Sequence, residues 1–271
     1  MVRSSPSGNF ETSEALIVFI HGLGANRHAW WGNSIHALYG SNRIRDIGHV
    51  HFFEYHSPKW IAGRPWRAMG IGQKTESIED VAGRVVTEVR GLLTRRSYSA
   101  VVFVGHSLGG LVALNSTLEV AQSSVPLFLG KVRPPVLIAS PIGGARLARP
   151  LSLLPGNVHH KYLCLRSDQR SGLLSNYAQV AADRQHLLPI ILGAGSDSAV
   201  RSRERWFDPT NLNVPAQNAR VISGGHSDCL QNLEGNRRNL EAIEDAIEDS
   251  YKVAPLSIPS TGVVVGQAEW K

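Results

Sequence analysis

Cysteine is nearly missing from this chain, with Cys164 and Cys229 the two thiols among 271 residues. Two isolated thiols cannot make a disulfide framework, and neither stands in a C-x-x-C pair, so a stapled secreted scaffold and a cysteine zinc site are excluded. No two histidines fall at i, i+4 spacing on a helix, so no metal is expected, and an organic cofactor is not expected either. Long apolar runs are missing as well. Met1 to Asn9 is polar, and the six apolar residues Ala15 to Ile20 are too few for a signal-peptide core or a membrane span. A cytoplasmic location is the resulting expectation. Low-complexity linkers and internal repeats are absent, which favours one domain over 1–271.

Charge is modest, at 18% of residues, with a net +6. The arginines lie in small scattered groups such as Arg43 and Arg45, Arg95 and Arg96, or Arg201, Arg203 and Arg205. None forms a continuous basic stripe, so a nucleic-acid partner is not expected. Peripheral contact with an anionic membrane stays open on the same charge. Oligomeric state leaves no signature.

What is present is concentrated in a few stretches. Val101-Val102-Phe103-Val104 is apolar and mostly β-branched, the pattern of a buried strand. Leu111, Val112, Ala113, Leu114 and Leu118 follow as a helix. Between them stands Gly105-x-Ser107-x-Gly109, a nucleophile elbow: a sharp strand-to-helix turn that strains its serine and lifts the hydroxyl out of the sheet. Ser107 is therefore the candidate nucleophile, at the positive end of a helix.

Upstream, Glu14 to Ile20 predicts a strand buried on both faces and runs into His21-Gly22-Leu23-Gly24. Glycines there let a main-chain N–H approach a substrate oxygen. Val50 to Tyr55 is the next strand. The loop from His56 to Gly72 holds Pro58, Pro65 and three glycines, which forbid a long helix. Its Trp60 and Trp66 fit either a wall of a substrate cleft or a cover over the core edge. Thr75 to Arg96 predicts an amphipathic helix, capped by Ser77 and Asp80 and striped by Ile78, Val81, Val85, Val89 and Leu92.

Downstream, Pro135 to Pro141 predicts a buried strand, Lys161 to Leu165 another, Leu173 to Gln185 a helix, and Leu188 to Leu192 a further strand. The excursion over 142–187 is where a cap or lid is expected. Ala219 to Ser223 delivers Gly224-Gly225-His226, and Gln231 to Ser250 predicts the closing helix. The tail, 251–271, reads as loose chain or an added edge strand. Of eleven histidines, His226 alone combines a late position, a preceding strand and adjacent glycines, the setting for a general base. His21 and His106 belong to the motif turns and orient backbone. Cys164 and Cys229 are expected to be buried or half-buried reduced thiols.

The order strand–His-Gly-x-Gly, strand–Gly-x-Ser-x-Gly–helix, strand-end acid and late histidine resembles the α/β-hydrolase superfamily. Gly105-His106-Ser107-Leu108-Gly109-Gly110, with Ser140-Pro141-Ile142-Gly143-Gly144 after the next strand, is similar to its lipase-like serine-esterase branch. The resemblance covers Leu16 to Ala246. It implies an α/β fold: a doubly wound, mostly parallel sheet of about eight strands. It also implies oxyanion donors at the backbone N–H groups of Leu23 and Leu108, and an acyl-enzyme on Ser107 formed with His226 as base.

Asp197, in a Gly-rich turn followed by Val200, resembles the family's acid. Asp168, expected to end the strand before it, is the alternative. Asp228 lies too near His226 in sequence to reach the far ring nitrogen. The expected substrate is a small-molecule or lipid carboxylic ester. A thioesterase, amidase or acyltransferase with the same triad is the alternative reading, as is a non-catalytic ligand-binding member of the fold.

Overall fold

The computed structural model describes residues 14–22, 34–55, 76–128, 130–143, 168–197 and 214–254. The six strands among them are β1 (Ala15–Ile20), β2 (Gly48–Phe53), β3 (Ala100–His106), β4 (Val136–Ile138), β5 (Ile190–Ala194) and β6 (Ala219–Ile222). The helices are α1 (Ser34–Gly40), α2 (Asn42–Ile47), α3 (Ile78–Arg95), α4 (Leu108–Gln122), α5 (Asp168–Asp183) and α6 (Arg237–Lys252).

All pairings are parallel, in the order β2-β1-β3-β4-β5-β6. The chain steps outward from β1 to β2, then crosses back over β1 to β3 and continues the other way. In such sheets the crevice outside the carboxyl ends at the reversal is where ligands bind.

Side-chain alternation explains why helices cover both faces. On β1, Leu16, Val18 and Ile20 join the cluster under α3, α4 and α5. Ala15, Ile17 and Phe19 join the cluster under α1, α2 and α6. With every side chain of β1 and β3 buried, neither strand tolerates water on either face. The ends of α3 follow local chemistry: Ser77 and Asp80 form a reciprocal capping box before the apolar stripe begins.

Several expectations are adjusted. The fold class stands, with six strands among the described residues where about eight were expected. Lys161 to Leu165 lies outside the described residues, as do most of the excursion over 142–187 and the tail from 255 on. Asp168 does not end a strand; it opens α5, five residues before the helix predicted from Leu173. Burial of Arg170 on that helix hides the earlier start from a hydropathy reading. The closing helix begins at Arg237 and not at Gln231, because Asn236 caps it by accepting from the Asn239 N–H. No helix of the described residues is long and apolar enough to cross a membrane.

Candidate active site

Register brings two loops together. Ile20 pairs with Gly105, so the chain leaving β1 at His21 and Gly22 lies beside the chain leaving β3 at His106 and Ser107. A Cβ added at Gly22 would stand 2.8 Å from the Ser107 Cβ, a gap that admits hydrogen alone. The loop is braced further back. His21 Nδ1–H donates to the Gly22 carbonyl at 2.9 Å, and His21 Nε2 accepts from the Tyr55 N–H at 3.2 Å. The Tyr55 hydroxyl donates to the His21 carbonyl at 2.9 Å, and the two rings stack with centroids 4.2 Å apart. Burial holds the His21 imidazole below its ordinary value and lifts the Tyr55 phenol, so both stay neutral.

Ser107 has φ 53°, a left-handed conformation that a non-glycine residue adopts only when its surroundings enforce it. The enforcement comes from hydrogen bonds on both sides. Its N–H donates to the Ile138 carbonyl on β4 at 2.9 Å, and its carbonyl accepts from the Gly110 N–H at 3.0 Å. The turn closes so tightly that a Cβ at Gly105 would lie 2.5 Å from the Gly110 Cα. Leu108 opens α4, so its backbone N–H belongs to the first turn, where no carbonyl of the helix itself serves as partner.

The candidate acid and base arrive on neighbouring strand ends. Ala194 pairs with Ile222, and the ladder continues into the loops through Gly195 N–H to the Ile222 carbonyl at 2.8 Å and Ser196 N–H to the Gly224 carbonyl at 3.0 Å. This zipper sets Asp197 beside His226. The Asp197 Oδ2 lies 2.7 Å from His226 Nδ1, and His226 Nε2 lies 2.7 Å from Ser107 Oγ. The carboxylate is shut off from solvent, whereas the imidazole keeps 20% of its surface exposed. A buried carboxylate facing Nδ1 fixes that nitrogen as the proton carrier and leaves Nε2 to accept from the serine.

Of the residues singled out in the sequence, Ser107, His226 and Asp197 thus lie within one hydrogen-bonded chain, with Leu108 beside it. Leu23, Trp60 and Trp66 lie outside the described residues. Asp228 sits in the turn after His226. Cys229 is fully buried, and burial pushes its thiol up to about 12, which removes it as a competing nucleophile. Among the described residues, no group of three or more metal-ligating side chains occurs.

Two contributors had weaker signals. His106 Nε2–H donates to the His226 carbonyl at 2.9 Å, and burial pushes its imidazole down to about 3, keeping it neutral. Asn239, 1% exposed on α6, contacts both ends of the loop around His226. Its signal was an amide on the helix stripe otherwise formed by Ile243 and Ile247 at i+4 and i+8.

Comparison with known proteins gives one family match. The model of the alpha/beta hydrolase family matches residues 17–245. No curated protein matches the chain in sequence. Among solved structures, phospholipase PlaB from Legionella pneumophila superposes with TM-score 0.64 at 15% identity, over 88% of this chain and 61% of that one. This chain therefore spans about three-fifths of that phospholipase. Esterase Pf2001 from Pyrococcus furiosus gives 0.53 at 16% identity, over 88% and 84%. A monoacylglycerol lipase from Paleococcus ferrophilus gives 0.50 at 14% identity, over 85% and 92%. At such identities the likeness is one of fold.

Proposed function

The chain belongs to the alpha/beta hydrolase family, and from that premise we propose that it is a serine hydrolase cleaving carboxylic esters through an acyl-enzyme on Ser107. The observation that carries this reading is the unbroken chain Ser107 Oγ–His226 Nε2, His226 Nδ1–Asp197 Oδ2, with both links at 2.7 Å. Family membership by itself does not name a reaction. A nucleophile, a base within reach of its proton, and an acid that orients the base support acyl transfer.

In this mechanism His226 Nε2 takes the Ser107 proton as Oγ attacks the acyl carbonyl. The carbonyl π pair moves onto oxygen, giving a tetrahedral oxyanion received by the N–H groups of Leu108 and Leu23. Each such donor contributes roughly 10²–10³-fold to the rate. Collapse of the intermediate breaks the ester C–O bond, and the imidazolium returns its proton to the departing alcohol. Water then repeats the sequence on the acyl-enzyme and frees the acid. Asp197 holds the tautomer and stabilises the imidazolium without taking the proton itself.

A lipid ester is the substrate class we favour. The structural neighbours named as a phospholipase and a monoacylglycerol lipase support it at the level of fold.

A fluorophosphonate probe tests the chemistry. It is expected to label the wild-type chain covalently and to fail on Ser107→Ala. Labelling that survives Ser107→Ala, or a wild-type chain that takes no label, overturns the reading. On p-nitrophenyl esters of increasing acyl length followed by micellar glycerolipid, a lipid esterase is expected to favour long chains and the micellar substrate. Turnover of acyl thioesters or amides with none of the oxygen esters would move the assignment to the neighbouring reaction.

A further inference from the structure

Asn239 lies on α6, outside the three residues of the proposed chemistry, yet its amide is wholly committed to the loop that carries His226. Oδ1 accepts from the Ser223 N–H at 2.9 Å and from the Ser223 hydroxyl at 2.8 Å. Nδ2 donates to the Ser223 carbonyl and to the Cys229 carbonyl, each at 2.9 Å. A side-chain amide offers two acceptor sites and two donors, and here all four are used. Its orientation is fixed by its partners, because a flipped amide would set NH₂ against the Ser223 N–H and oxygen against two carbonyls.

The two anchor points flank the histidine symmetrically, with Ser223 three residues before His226 and Cys229 three after. Midway between them the His226 carbonyl accepts from His106 Nε2 at 2.9 Å and from Cys229 Sγ at 3.4 Å. The loop is therefore clamped at both feet by one amide and held at its crest by the residue preceding the nucleophile. α6 is itself a firm base for the clamp. Glu244 on it accepts from the Ser41 hydroxyl at 2.5 Å, while the Ser250 hydroxyl, at the end of the helix away from the His226 loop, donates to the Pro134 carbonyl at 2.6 Å and is no part of the clamp.

We propose that Asn239 is the positioning residue for His226: by tying Ser223 to Cys229 it sets the height of the imidazole over Ser107. This inference rests on the reading of His226 as the general base. Asn239 touches neither substrate nor reacting atom, so it acts only through the loop. Releasing one foot of a seven-residue loop is enough to let Nε2 drift, and a displacement of about 1 Å in a reacting group costs on the order of 10²-fold in rate.

The test sets Asn239 against Ser250, the buried hydrogen-bonding residue at the other end of the same helix. Asn239→Ala and Ser250→Ala each remove a buried tie of α6 to the backbone, and both are expected to melt below wild type. Steady-state kinetics on a p-nitrophenyl ester, well below each melting point, separate their roles. Asn239→Ala is expected to lose about 10²-fold in kcat with KM little changed, because binding precedes the proton transfer that is impaired. Ser250→Ala is expected to keep the wild-type kcat.

Asn239→Asp retains shape and acceptor while removing both donors, and repeats the measurement with less loss of packing. A folded Asn239 variant whose kcat matches Ser250→Ala overturns the proposal. So does failure of both Asn239 variants to fold, since the residue then serves the domain and not the loop. Wild type unlabelled by fluorophosphonate marks instead the failure of the serine-hydrolase reading.

Discussion

Ser107 and His226 sit 2.7 Å apart, yet they are held by opposite means. Ser107 is fixed by main chain. Its φ of 53°, its N–H bonded to β4 and the crowding at Gly105 are all properties of backbone packed on backbone. Beyond the main-chain zipper that ends at Gly224, the histidine is fixed by side chains: His106 and Cys229 at its carbonyl, Asn239 at the loop's feet and Asp197 at its ring. The lesson is about failure. Main-chain fixation is all or none, because a turn that cannot close exposes no serine. Side-chain fixation is graded, because each tie can be cut while the others hold.

The sharpest way to break that contrast is Gly105→Ala. The new methyl would meet the Gly110 Cα at 2.5 Å, against backbone that cannot rotate away. Overpacking costs typically 1–3 kcal/mol, and the top of that range, about 3 kcal/mol, is expected here. Melting temperature is expected to fall steeply and fluorophosphonate labelling to vanish with it. Normal labelling would mean that the elbow is not held by main chain.

Next in size comes Asp197→Asn, on the side-chain half of the comparison. The fold and its melting point are expected to survive, while kcat on an ester falls about 10⁴-fold because Nδ1 loses the carboxylate that selects its tautomer. A drop of less than about tenfold would point to another acid.

The smallest effect is on pH dependence. Burial, ahead of the nearby His226 ring, moves His106 from an ordinary 6.5 down to about 3. The unfolded chain takes up a proton at this residue from about pH 6.5 downward, and the folded chain does not until about pH 3. Stability from this group is therefore complete above 6.5 and is lost as pH falls from 6.5 toward 3. Cys229 mirrors it: raised from 9.0 to about 12, it costs stability as pH rises through 9. Thermal melts from pH 5 to 6.5 are expected to show a shallower slope in His106→Gln than in wild type. Equal slopes would mean that His106 titrates freely and does not hold the His226 carbonyl as a neutral donor.

How legible these features were depended on how local their causes are. The runs at β1 and β3 and the spacing Gly105-x-Ser107-x-Gly109 are written in consecutive residues, and so is the Ser77–Asp80 cap. Gly193, Gly195 and the short separation from His226 rank Asp197 ahead of Asp168 without separating the two. Each followed an apolar run, and the difference is that Asp168 opens α5 while Asp197 leaves β5 beside β6. Asn239 was hidden for a related reason. Polarity on an apolar helix face marks burial, but which backbone groups an amide meets depends on a loop ten to sixteen residues away.

The sequence alone determined the local geometry: which segments bury both faces, where a strained turn must stand, and which serine that turn presents. Hydrophobic periodicity and backbone sterics act over a few residues, so they can be read along the chain. Tertiary structure alone decided which carboxylate faces His226 and which side chains tie its loop down. Those choices follow from parallel strand pairing, crossover connections and the docking of a helix on a loop, which join residues from 10 to 120 positions apart through contacts that no local pattern encodes.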